Sequence, residues 1–298
     1  MKLKVVIFLA SVLGVTEACN KLVKIPPPIT SVTTETVFSS DTTAYSAIAA
    51  IYDDMSWHGA STDWANSIIA NEAGMSADEM NDGYGAGDWF LSNSLFASAS
   101  PAGQFWIAPY FDIYMANGVL EGLNASTKVT AGVRNQLEGE AKFLRALAYF
   151  YLTNLFGDLP LVLSTDFHKT ALLHKSTQAQ IYQQIVADLK DAQGLLPSDY
   201  SVYNSQRIRA TKWAATALLA RTYLYIDSFA NAAAESSAVI NNTALFGLDS
   251  LNGVFLTNSQ ESILQLATQD FYPYSTQEAQ LAIPPCSTCS PIFYLTSQ

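Results

Sequence analysis

The sequence predicts a mainly α protein, in which helical hairpins form a scaffold, a long irregular loop insert interrupts it early, and β structure is minor. Three observations carry this. Apolar residues recur at three- and four-residue steps through six separate stretches, the spacing that lines up one face of an α-helix. Between about residues 59 and 103 the periodicity gives way to Gly74, Gly83, Gly85, Gly87 and Gly103, to many Ser and Asn, and to Trp64, Tyr84, Trp89, Phe90 and Phe96. After residue 243 the texture turns to Gly, Asn and Thr with short apolar runs, of which Ile263–Leu266 predicts one strand.

The chain opens with a positive Met1–Lys4 and an apolar Val5–Val15, the length of a signal peptide and too short to span a bilayer as a helix. Thr16-Glu17-Ala18-Cys19 follows, a small residue directly before a cysteine, and it resembles the lipobox of bacterial lipoproteins. Residues 1–18 therefore read as a signal peptide, and Cys19 as a lipidated first residue of the mature chain. Residues 19–34 read as a tether, stiffened by Pro26-Pro27-Pro28. Two or more acyl chains, at about 0.8 kcal/mol per buried methylene, hold a protein to a membrane stably.

From residue 35 to 298 the chain reads as one helical domain. The first helix spans 35–57, with Val37, Tyr45, Ile48, Ile51, Tyr52 and Met55 on its periodic face, Asp41 as a local cap and Gly59 closing it. Periodicity resumes at Gln104–Leu123 and at Val133–Phe156, where Val133, Leu137, Ala141, Leu144, Ala148, Leu152 and Leu155 form one stripe that Gly157 and Pro160 end. Further helices are expected at Thr177–Leu196, with Ser176 as N-cap, at Ala210–Asp227 and at Asn231–Asn241. Within the last pair, Leu219-Ala220 is followed by Tyr223, and Ala232 stands a helical hairpin later. That spacing resembles a tetratricopeptide unit, in which small residues let two helices approach and an aromatic fills between them.

Composition excludes several partners. Charged residues are only 14% of the chain and the net charge is −11, so Ser, Thr, Asn, Gln and Tyr must cover much of the surface. An acidic chain without Lys/Arg clusters is repelled by phosphate backbones, which argues against nucleic acid. It argues equally against adhesion to anionic lipid through a basic patch.

Catalytic and metal motifs are not found. His58, His168 and His174 have no ligand spacing to one another, and there is no G-x-S-x-G or P-loop. Gly83-Tyr84-Gly85-Ala86-Gly87 lacks the spacing of a dinucleotide loop. Asp78–Gly83 fails as a calcium loop, because Met80 takes a ligand position and Trp89 stands where the bidentate Glu is needed. Cys286 and Cys289 form a lone C-x-x-C, read as a disulfide or two unpaired thiols and not as zinc ligands. Asp53, Asp54, Asp82 and Asp88 are candidate glycosidase acids, but such a pair is defined only in space. No cofactor is expected.

The most specific run is Glu138-Gly139-Glu140-Ala141-Lys142-Phe143-Leu144-Arg145-Ala146-Leu147-Ala148-Tyr149-Phe150, continuing to Leu155-Phe156-Gly157-Asp158-Leu159-Pro160-Leu161. It resembles the pattern G-E-A-x-F-L-R-A-x-x-Y-F…L-F-G-D-x-P of the SusD/RagB family. Lys212–Ile226 resembles that family's later helix pair, and Glu261–Gln265 its E-S-I-x strand. Ala116-Asn117 resembles its N-R-A-N helix, with Met115 in place of Arg. The resemblance implies an outer-membrane lipoprotein that catalyses nothing, sits over a SusC-like TonB-dependent transporter and presents oligosaccharides to it. It also implies a C-terminally incomplete chain, since family members continue beyond the position matching Gln298. Asn20, Lys21 and Lys24 depart from the acidic residues expected after the lipid cysteine.

Sugar rings present an apolar C–H face and a rim of hydroxyls, so their sites combine a flat aromatic ring with Asn, Asp or Gln side chains. Tyr84, Asp88, Trp89 and Asn93 supply that combination within the insert, the region that contributes to the glycan site in the family. The alternative for Trp89 and Phe90 is that they pin a long loop to the core. At the level of the whole protein, the alternatives are a tetratricopeptide-like scaffold that binds only a protein partner, and a glycoside hydrolase.

Overall fold

The computed structural model describes residues 33–56, 64–65, 69–83, 88–96, 100–257, 259–267, 277–284 and 289–296. The expected leader, Cys19, the tether up to residue 32, Gly59, His58, Tyr84 and Cys286 lie outside these residues, while Thr33 and Thr34 of the expected tether begin the first helix. The elements run α1 (Thr34–Val37), α2 (Asp41–Ser56), α3 (Ile69–Ser76), β1 (Met80–Asp82), α4 (Asp88–Leu91), α5 (Ser100–Ala125), α6 (Ala131–Phe156), β2 (Leu159–Pro160), α7 (Phe167–Thr170), β3 (Lys175–Ser176), α8 (Gln178–Leu195), α9 (Lys212–Tyr225), α10 (Phe229–Ile240), α11 (Gln277–Ala282) and β4 (Phe293–Leu295). The protein is mainly α, and among the described residues the strands form two short antiparallel pairs, β1 with β4 and β2 with β3.

Helix α6 is the centre of the scaffold. It lies between α5 and α8 and also meets α2, while α9 rests on α8 and pairs with α10. Its stripe explains this position, for Leu137, Ala141, Leu144, Ala148 and Leu152 are at most 1% exposed. Leu155 was expected on the same stripe but is 46% exposed. Gly139 lets α8 end against α6, since a Cβ there would come within 2.9 Å of Leu196 Cγ. Gly157 ends α6 with φ of 72°, a conformation glycine adopts without steric cost. The tetratricopeptide-like hairpin is present in α9 and α10, where Leu219, Ala220, Tyr223 and Ala232 are buried together.

Two buried polar networks tie these helices. Arg145 of α6 donates to both oxygens of Asp188 on α8, at 2.9 and 2.7 Å, and to Asn117 Oδ1 on α5 at 2.7 Å. Asn117 Nδ2 in turn donates to the Val162 carbonyl. Glu140, fully buried, accepts from Arg209 Nε at 2.6 Å, from Gln136 and from Tyr203. Removing one partner of a buried pair leaves an uncompensated charge, which costs about 3–5 kcal/mol. The Arg, Glu and Gly of the family-like run are thus structural residues of the scaffold.

Several expectations are corrected. The first helix is two, α1 and α2, because the chain turns at the buried Phe38, whose carbonyl accepts from Ser126 Oγ. Ser40 Oγ accepts from the Thr43 amide at the start of α2. Asp41 instead reaches across the fold, accepting from Thr130 N–H and Oγ1–H at 2.8 and 2.9 Å at the N-terminus of α6. The N-cap of α8 is Thr177 and not Ser176, through a capping box with Gln180. Residues Ile263–Leu266 form no strand. Gln265 N–H donates to the Arg207 carbonyl, while Ile263, Leu264 and Leu266 lie half-buried against the helical core.

Candidate functional site: an aromatic insert over a helical scaffold

The insert is more ordered than its glycines suggest. It contains α3, β1 and α4, and β1 pairs with β4 in the register Met80↔Leu295, Asn81↔Tyr294, Asp82↔Phe293. A small cluster of Met75, Phe90 and Phe105, with Ile69, Met80 and Leu91 around it, fixes the insert to the start of α5. Phe90 and Phe105 meet edge to face, with ring centroids 5.9 Å apart.

The neighbouring Trp89 is arranged differently. It is 42% exposed and meets the exposed Phe96 edge to face at 5.8 Å, so the two rings form an aromatic pair at the surface. Asn93 belongs to the same turn, closed by Ser94 N–H donating to the Trp89 carbonyl. Asn93 has φ of 49°, a left-handed conformation asparagine tolerates, and its Nδ2 donates to the Ser76 carbonyl at 3.3 Å. Trp89 and Asn93 are therefore brought together. Asp88 opens α4, and Tyr84 lies outside the described residues. Phe96 was not among the site residues expected, and only its aromatic character at the edge of the insert pointed to it.

Behind the insert lies a cavity of about 530 Å³. Its insert wall is built of Ile69, Ala70, Ala73 and Gly74, and its scaffold wall includes Leu144, Tyr151 and Arg221. The Arg221 guanidinium stacks on Phe150, Tyr151 and Tyr225, and Nη1 donates to the Tyr151 hydroxyl. Trp64 forms part of the cavity wall, meets Tyr151 edge to face at 5.6 Å and donates Nε1–H to Asp112 Oδ2 at 2.6 Å. Burial raises the carboxyl of Glu72 on α3 to about 7. No sequence signal marks this cavity, because its lining is drawn from positions between 52 and 266.

Cys289 is disulfide-bonded, one of the two readings the C-x-x-C allowed. Among the described residues no group of three or more His, Cys, Asp and Glu could hold a metal ion, and no helix is long and apolar enough to cross a membrane. Of the candidate acids, Asp54 is brought beside Asp112, a residue the sequence did not single out. Both are buried, and Asp112 accepts from Trp64.

The family model described as "SusD-like_3: Starch-binding associating with outer membrane" matches residues 40–224. The chain is 33% identical over 146 residues to SusD-like protein P2 of Formosa agariphila, covering 48% of this chain and 28% of that protein. Among solved structures it is similar to a SusD-like carbohydrate-binding protein from Bacteroides fragilis, with a TM-score of 0.67 and 24% identity over 77% of this chain and 46% of that one. It is also similar to a laminarin-binding SusD-like protein, with a TM-score of 0.60 and 25% identity over 72% and 46% of the two chains. The chain spans between 28% and 49% of the length of the curated relatives it matches. With more than half its residues matched by that model on an α scaffold of the same fold, this chain belongs to the SusD-like family.

Proposed function

We propose that this protein is the scaffold and ligand-bearing insert of a non-catalytic, glycan-binding outer-membrane lipoprotein that delivers oligosaccharide to a SusC-like TonB-dependent transporter. The observation that carries the reading is the division of labour between adjacent aromatics, in which Phe90 is buried and pins the insert while Trp89 stays exposed. A tryptophan kept at the surface, with Asn93 in the same turn, is the pairing that sugar recognition uses. The binding of carbohydrate by solved relatives supports it, laminarin in one case. A hydrolase finds no support in the Asp54–Asp112 pair, which is buried where a glycosidic bond cannot reach.

The test is binding of labelled oligosaccharides to a full-length relative, or to this chain joined to a relative's remaining residues. Trp89→Ala is expected to weaken binding by about 1–3 kcal/mol, roughly five- to 150-fold, for the loss of one stacked ring face. Its circular-dichroism spectrum should stay helical. Undiminished binding would make Trp89 a bystander and move the glycan site elsewhere.

Lipidation of Cys19 and the transporter partner share one membrane experiment. The full-length lipoprotein should fractionate with outer membranes and co-purify a TonB-dependent transporter from detergent extracts. Cys19→Ser should release it to the soluble fraction. Membrane retention of that variant would refute the anchor. Absence of the transporter would refute the partner. The partner reading draws on a stripe of exposed apolar residues on α5, Ile107, Phe111 and Tyr114, set on one helical face.

A further inference from the structure

Two apolar helix faces line the cavity behind the insert. Ala70 and Ala73, both exposed, line it from α3 together with Gly74, and Leu144, Leu147 and Tyr151 line it from α6. Each set is spaced by three or four residues, so each belongs to one side of its helix. Protein interiors leave few voids larger than a water molecule, whereas small-molecule sites are clefts of about 300–1,000 Å³. At about 530 Å³ this space has the size of the second kind. Its insert wall is built of side chains too short to fill it.

One cation lines this space, and it is the arginine that the scaffold does not use. Of the five arginines in the sequence, Arg145 is paired with Asp188 and Arg209 with Glu140. Arg134 and Arg207 donate to backbone carbonyls. Arg221 lines the cavity and makes no ion pair among the described residues. Its guanidinium carbon lies 5.2 Å from the ring centre of Phe150 and 5.8 Å from those of Tyr151 and Tyr225. Nη1 donates a long hydrogen bond of 3.4 Å to the Tyr151 hydroxyl. Stacked rings fix the plane of a guanidinium, and its rim of N–H groups is the part that grips a carboxylate, two bonds at a time. The only other charged residue of the lining is Glu79, which follows α3.

We propose that this cavity is a second binding site, which takes a small organic monocarboxylate with an apolar body, its carboxylate on Arg221 and its hydrocarbon between α3 and α6. The charge follows from Arg221, the one cation of the lining, while Glu79 repels an anion from its own side. The apolar body follows from the walls. Beside Ala70, Ala73, Leu144 and Leu147, Leu264 and Leu266 also line the space, and a sugar acid would bury its hydroxyls against them without partners. Trp89, Asn93 and Phe96 take no part in the lining, so this site is separate from the surface aromatic pair.

The test is calorimetric titration of straight-chain carboxylates, from butanoate to octanoate, into the protein in the full-length form used for glycan binding. Cys19→Ser keeps acyl chains out of the sample. Octanoate is expected to bind saturably, one per chain, with affinity rising about four-fold for each methylene added along the series. Octanol, which lacks the charge, and glucuronate, which lacks the apolar body, should each bind at least about ten-fold more weakly than octanoate. Arg221→Gln should bring octanoate down to the level of octanol. Ala73→Phe, which adds bulk from an exposed position of α3, should abolish binding of both. Circular dichroism checks that the two variants remain helical. Absence of saturable octanoate binding, as when further polypeptide fills the space, overturns the proposal. So does an affinity independent of chain length, glucuronate binding as tightly as octanoate, or octanoate binding unchanged in both variants. No glycan-binding measurement enters, so the outcome is independent of whether the insert binds oligosaccharide.

Discussion

Leu144 faces the cavity from the middle of α6 and is 1% exposed. Truncating it to Ala enlarges a space that is already unfilled, and Leu→Ala changes at such sites cost about 2–5 kcal/mol. Chemical denaturation of Leu144→Ala is expected to return a loss in that range. A change below about 0.5 kcal/mol, typical of a surface site, would contradict its burial. Residues of this kind were legible because a helical stripe announces its buried face. The same is true of Arg145, Glu140 and Gly139, whose run was readable as a motif although its use in buried networks was not. Trp89 and Phe90 were not separable, because adjacent aromatics in a loop differ only in which one the tertiary fold turns inward. Asp112 and Trp64 are paired across 48 positions, and nothing local to either marks the other.

At the level of elements, the long helices α5, α6, α8, α9 and α10 followed from their periodicity, with ends displaced by a few residues. Capping explains the start of α8. Ser176 and Thr177 both suit an N-cap, and only Gln180, three residues after Thr177, distinguishes them by completing a capping box. Asp41 looked like a cap for its own helix and serves the start of α6 instead, a choice made by tertiary proximity. Helix α3 was hidden because Ala70, Ala73 and Gly74 give it a small-residue face where a large apolar one would have signalled burial. Strand β1 was hidden because Met80-Asn81-Asp82 has no alternation and its partner stands near the far end of the described chain. The apolar run at 263–266 suggested a strand, but it lies against helices and makes one backbone bond to Arg207.

Over the whole molecule, one pairing has a consequence in time. Strand β1 bonds to β4, about 210 residues later, and the flanking bonds, Gly83 N–H to the Ile292 carbonyl and Thr296 N–H to the Glu79 carbonyl, join the same distant segments. Closing a flexible loop of that length costs on the order of 5 kcal/mol in chain entropy, more than a three-residue strand pair recovers. The closure becomes affordable once α5 to α10 have formed, because folded helices shorten the path between the two ends. The scaffold therefore assembles first and the insert is clamped afterwards, by residues synthesised long after it. Native-state hydrogen exchange should record this order in reverse, with the Gly83 and Thr296 amides opening at a lower free energy than those of Leu144 and Tyr149 in α6. Equal protection of the two sets would mean that insert and scaffold fold as a single unit. With the expected difference, a newly made chain passes through a stage in which its helical body is complete while its aromatic arm is still unfastened.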